Sequence, residues 1–229
     1  GATKMDRPEW LAIDPHNGWV YCTLTNNSSR GAAGMPGVDA ANPRANNVMG
    51  QIISWQDERD FDGTSFKWNH LVLCGDPANE RADAKGNIKG DLYACPDGLA
   101  FDARGVLWIQ TDMGPTAMHK GELKNIGNNQ MLACDVATGQ TRRFLTGPTN
   151  CEITGVTWTP DRKTMFINVQ HPGEVSGHPR APRTAAGTAF SDNDIARNAT
   201  AFSQWPTAGA RPRAATVVVR RSDGGVIGA

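Results

Sequence analysis

Three times along the chain, a run alternating apolar and polar positions leads into a turn and then into a run of β-branched and aromatic residues. The first is "PEWLAIDPHNGWVYCTLT" from Pro8, the second "PDGLAFDARGVLWIQTD" from Pro96, the third "ITGVTWTPDRKTMFINVQ" from Ile153. Alternation with a period of two marks half-buried strands, and Asp, Asn, Gly or Pro at each bend marks a tight hairpin. Two more strand candidates follow each hairpin. They are "GQIISWQ" and "FKWNHLVLCG", then "QMLACDV" and "QTRRFLTG", then "TVVVRR" and "VIGA". The pattern predicts an all-β chain, a β-propeller with about three blades of four antiparallel strands. The blades cover approximately residues 8–77, 96–149 and 153–229 of one domain, 1–229. An unrelated β-sandwich with coincidental hairpins is the alternative. Residues 26–49 and 171–214 read as long loops, and loops of that length in a small domain tend to be functional or disordered.

Three blades cannot close a ring, and open sheet edges present unpaired backbone groups that soluble proteins avoid. The expectation is a C-terminal part of a larger propeller, its edges covered by a missing N-terminal half or by another chain.

Composition narrows the function. The 229 residues carry 23 Lys plus Arg and 23 Asp plus Glu. This balance gives no support to nucleic-acid binding or to an anionic membrane surface. No stretch approaches the roughly 20 apolar residues of a membrane helix. The cysteines, Cys22, Cys74, Cys95, Cys134 and Cys151, are odd in number and lack CxxC spacing, so they read as packing residues. The histidines show no HExxH spacing, and no GxSxG, P-loop or GxGxxG pattern occurs.

The chemistry sits at the mouths of the first strands. Aligned on their hairpins, the repeats place Glu9 and Asp97 at one position, with Thr154 third and Glu152 two residues upstream of it. Strand side chains two apart share a face, so Glu152 and Arg7 join the same side. If first strands line a channel, three carboxylates and a guanidinium meet in one funnel. Clustered carboxylates repel and are costly to desolvate, and a cation relieves both. Their hard oxygens suit calcium, magnesium, manganese or iron, and an arginine fork suits a phosphate or carboxylate. Each residue also has a plainer reading. Asp97 in "PDG" fits an Asx turn, and Glu9 fits a surface pair with Arg7 or Lys4. Asp112 is a strand-end cap or a secondary metal ligand, and His171 is a turn histidine or a ligand-orienting one.

The blocks "DRPEWLAIDP", "NPRANNVMGQIISW", "CPDGLAFDARGVLWIQTD", "TNCEITGVTWTPDRKTMFINVQHPGE" and "ATVVVRRSDGGVIG", in that order, resemble the C-terminal half of PhoX-type alkaline phosphatases. The resemblance implies a six-bladed propeller and an exported protein, periplasmic or secreted. It implies hydrolysis of phosphate monoesters at an axial calcium and iron site. By the same resemblance Arg7 binds the substrate phosphate, Glu9 and Glu152 hold Ca2+, and Asp97 is a third ligand. The Fe3+ ligands, a cysteine among them, belong mostly to the N-terminal half, so this chain alone is expected to be inactive. The rival readings are a calcium-dependent lactonase-like propeller, which needs no anion clamp, and a non-catalytic propeller binding module.

Overall fold

The computed structural model describes residues 1–59, 61–175 and 177–228. β1 (Pro8–Ile13) and β2 (Val20–Leu24) make the first hairpin, extended by β3 (Gln51–Asp57) and β4 (Phe66–Leu73) into a four-stranded antiparallel meander in chain order. Asp14 closes the hairpin turn, accepting from the His16 N–H and the Asn17 side-chain amide. The second sheet contains β6 (Pro96–Phe101), β7 (Val106–Thr111), β8 (Gln130–Asp135) and β9 (Gln140–Thr146). Asp102 repeats the turn role of Asp14, accepting from the Arg104 and Val106 N–H groups. A two-residue strand, β5 (Lys89–Gly90), adds in parallel to β9, which the hydrophobic pattern does not predict. The third sheet is β10 (Glu152–Trp158), β11 (Thr164–Gln170) and β12 (Ala215–Arg220).

The all-β reading and all three hairpins agree with the sequence pattern. The third sheet is a correction, because it has three strands where four were expected. After β12 the Arg221 guanidinium bonds the Asp223 carboxylate around a turn, and Ile227 folds back so that its N–H meets the Arg162 carbonyl. Ile227 is buried there, so "VIG" acts as an apolar plug instead of a strand, and Ala229 lies outside the described residues. Within the 171–214 loop the structure adds one helix, α1 (Asp192–Arg197), started by a Ser191/Asp194 capping box.

One core cluster includes residues of the first two sheets, among them Ile52, Val72, Leu99, Leu107, Ile109 and Leu132. A second joins the middle sheet to the third through Trp108, Met131, Ile153, Met165 and Ile167. The middle sheet is therefore covered on both faces, and β7 ("VLWIQT") is almost continuously buried. The outlying β12 keeps strict alternation. All five cysteines are buried and free. β1 packs against β6, and β6 against β10, so the three first strands stand side by side.

Candidate metal and phosphate site

Just before each first strand lies a residue in the left-handed backbone region: Arg7 (φ 46°), Cys95 (φ 53°) and Asn150 (φ 48°). For residues other than glycine this costs roughly 1–2 kcal/mol. In all three mouths the same tie holds it. The carbonyls of Arg7, Cys95 and Asn150 accept from the N–H groups of Thr25, Asp112 and Gly173, at 3.0, 2.9 and 3.1 Å. Two residues after each comes an acid: Glu9, Asp97 and Glu152.

These mouths explain an offset in the sequence alignment. From the acid to the last residue of the strand is four steps in β1 (Glu9 to Ile13) and β6 (Asp97 to Phe101), but six in β10 (Glu152 to Trp158). A register irregularity interrupts each pairing, between Thr154 and Thr157 in the third. Counted from the hairpin, Thr154 is the equivalent of Glu9; counted from the mouth, it is Glu152. Arg7 also reaches the cluster by a route other than strand alternation, since it lies before β1 with a left-handed backbone.

Arg7 donates from Nε to Glu9 Oε1 at 2.8 Å and from Nη2 to Asp112 Oδ2 at 3.1 Å. Burial alone would weaken its charge, but these two hydrogen bonds and carboxylate charges outweigh it and raise its pKa. Glu152 Oε2 accepts from Gln170 Nε2 at 2.7 Å and lies 3.5 Å from His171 Nε2. His171 Nδ1 lies 3.2 Å from Glu174 Oε2. The hydrogen bond to Glu152 is the largest influence on the His171 pKa and raises it against the opposing effect of burial. Ligand atoms of Asp112, Glu152 and His171 all lie within 4.8 Å of one another. Asp97 is only 5% exposed. Among the described residues no hydrogen-bond donor meets its side chain. Burial first, then the charges of Glu9, Glu152 and Asp112, push its carboxyl up to about 7. Asp112 is raised by burial and then by Glu152, against the pull of Arg7.

The four residues singled out from sequence thus share one electrostatic neighbourhood. The Asx-turn reading of Asp97 fails, because Asp97 lies inside β6 with no such bond. The Glu9–Arg7 pair does form, yet it extends to Asp112 and so joins the cluster. Asp112 and His171 occupy the same repeat position, each one residue beyond the second strand of its sheet. Aligning the repeats at the ends of β7 and β11 would have exposed that pairing. Gln170 is a partner that sequence reasoning missed.

The donor set fits a hard cation. Asp97, Asp112 and Glu152 offer oxygens, and the donorless Asp97 carboxylate is a poor resident of its site unless protonated or bound to a metal. The set does not fit an iron–thiolate centre. Cys95 is two residues from Asp97, but its thiol points to the Val48 carbonyl at 3.3 Å, and burial pushes it up to about 12.

The Asp97 environment sets a pH dependence in metal-free protein. Its folded pKa, about 7, exceeds the ordinary aspartate value of about 3.9, so between those values the folded state binds more protons than the unfolded. Stability therefore falls as pH rises from about 4 to about 7, by on the order of a few kcal/mol. Urea unfolding across this range is expected to show that slope in wild-type protein and to lose most of it in Asp97→Asn. Equal slopes in the two proteins would contradict the assignment.

Residues 1–173 match the family Alkaline phosphatase PhoX. Among solved structures, the chain is similar to Pseudomonas fluorescens PhoX in complex with vanadate, a transition state analogue. The two share 39% identity with a TM-score of 0.78 over 99% of this chain and 36% of that one. The chain thus spans 36% of the length of that relative. No curated protein matches it. With the family matched over most of its length and the acids assembled at the strand mouths, the chain belongs to the PhoX alkaline phosphatase family.

Proposed function

We propose that this chain forms the calcium- and phosphate-holding side of a metal-dependent phosphatase acting on phosphate monoesters. The observation that carries the reading is Asp97, nearly buried, without a hydrogen-bond donor among the described residues, and within the charge of Glu9, Asp112 and Glu152. It gains support from a relative at 39% identity that binds vanadate. Glu9, Asp97 and Glu152 would hold Ca2+, with Asp112 and His171 completing the group around Glu152. When bound, the metal offsets the charge of the phosphate oxygens and of the surrounding carboxylates.

Arg7 has a role of its own. Glu9 and Asp112 hold its Nε and Nη2, which fixes the plane of the fork and leaves Nη1 to face a phosphate oxygen. A fork fixed before the substrate arrives stabilises charge developing on the phosphoryl group without reorganising. Iron, which the family resemblance implies, is assigned no step here, and its ligands belong outside this chain. The same reading sets the three sheets in a six-bladed propeller of a periplasmic or secreted protein, and leaves this chain inactive by itself. Exposed Phe66 and Trp68 on β4, and Val218 on β12, then mark faces covered by the rest of the family fold or by another chain.

The test is turnover of p-nitrophenyl phosphate by a family protein carrying this sequence. Arg7→Ala is expected to lower kcat/KM by about a hundredfold, with little rescue by Arg7→Lys, because an ammonium cannot reproduce the fork. A parallel assay on a γ-lactone addresses the lactonase reading. Lactone hydrolysis that survives Arg7→Ala, with no phosphatase activity in wild type, would overturn the assignment.

A further inference from the structure

Beside the acidic cluster lies a pocket of about 200 Å³ with a different character. It is lined by His171 and Glu174, by Arg211, Pro212 and Arg213, and by Ile195 of α1. His171 belongs to both sites, since its Nε2 faces Glu152 and its ring lines the pocket. Among the described residues neither the Arg211 nor the Arg213 guanidinium meets a carboxylate. Both arginines are exposed and keep their charge free for a ligand beside the Asp112–Glu152–His171 group. The one carboxylate in the pocket, Glu174, is already engaged by His171 Nδ1 at 3.2 Å.

The walls are fixed in place. The Gly173 N–H donates to the Thr149 and Asn150 carbonyls, and the Arg213 N–H donates to the Trp205 carbonyl at 3.2 Å. Gly173 lies so close to Ser203 and Pro212 that a Cβ there would meet them at 2.6 and 3.5 Å. The residues 171–174 and 211–214 are thus closed against each other, with Arg211 and Arg213 lining the pocket and exposed to solvent.

We propose that this pocket is a leaving-group subsite that selects phosphate esters carrying a second anionic group, a carboxylate or another phosphate. The proposal rests on the phosphatase reading of the neighbouring cluster and adds the class of ester it prefers. With the scissile phosphate at Arg7, the alcohol portion extends past His171. Its aliphatic part contacts Ile195 and Pro212, and its second anion meets Arg211 and Arg213. The volume of about 200 Å³ admits a few carbons and one anionic head.

The test uses phosphonates, which are not hydrolysed, so binding is read independently of turnover. The full chain with calcium present is titrated calorimetrically with ethylphosphonate and with 3-phosphonopropionate, which differ by one carboxylate. Wild type is expected to prefer the carboxylated compound by about tenfold. The double variant R211Q/R213Q should lose that preference, keep its affinity for ethylphosphonate and unfold at the wild-type temperature. Equal affinities in wild type, or a preference that survives in the variant, would overturn the subsite. Failure of the phosphatase reading shows separately, as a wild-type family protein that binds 3-phosphonopropionate through these arginines yet turns over no phosphate ester.

Discussion

Glu152→Gln in a family protein carrying this sequence is expected to lower kcat/KM for p-nitrophenyl phosphate by about a thousandfold. Glu152 is the most connected acid of the site. It accepts from Gln170, faces His171, and shares a 4.8 Å neighbourhood with Asp112 and His171. Glutamine keeps the shape and still reaches Gln170, so the change removes one charge and little else. Without that charge a cation loses a strong oxygen ligand, and protonated His171 loses its main counterion. Because the loss arises through metal affinity, raising calcium should recover part of the activity, while the same variant with chelator present should show none. Activity within threefold of wild type at low calcium would remove Glu152 from the site.

Arg30→Ala should have the largest effect on stability, on the order of 3–5 kcal/mol. Arg30 and Asp6 are almost completely buried and paired at 2.7 Å. Asp6 also accepts from the side-chain amides of Asn27 and Asn47, and its N–H donates to the Asn42 side chain. Removing the guanidinium leaves a buried carboxylate with only neutral donors, which costs more than the pair contributes. In a chain of this size the melting temperature is expected to drop by about 10 °C. The network also ties residues 4–6 to the 26–49 loop, immediately before Arg7. Arg30→Ala should therefore loosen the backbone that places Arg7 in the fraction that stays folded. A melting temperature within 2 °C of wild type would contradict this ranking.

How much of this was legible in the sequence depended on whether the signal was local. The hairpins at Pro8, Pro96 and Ile153 were readable because period-two alternation and turn residues act over a few neighbours. The acids at Glu9 and Asp97 were readable because a repeat imposes the same position on both strands, and Glu152 because it stands two residues upstream, on the same strand face as the third equivalent. What stayed hidden is non-local. The left-handed residues Arg7, Cys95 and Asn150 carry no glycine to announce them, and their conformation depends on N–H groups from the far side of each hairpin. β10 runs two steps further from its acid to its end than β1 and β6 do, so an alignment from the hairpin put Thr154 in the place that belongs to Glu152. "VIG" looked like a strand because it is apolar, but Ile227 is held by Arg162 and the second core cluster instead of pairing with the edge strand β12. Asp112 and His171 were each read alone, and the packing of β10 against β6 and β7 brings them together.

The most direct measurement is a calorimetric titration of Ca2+ into the metal-free chain, repeated with Asp97→Asn. The account predicts saturable binding in wild type at millimolar calcium or below. Near pH 6 it should be accompanied by proton release, as the raised Asp97 carboxyl gives up its proton to the incoming ion, and both should be lost or strongly weakened in the variant. A wild-type chain that takes up no calcium, or a variant with an unchanged isotherm, would contradict it.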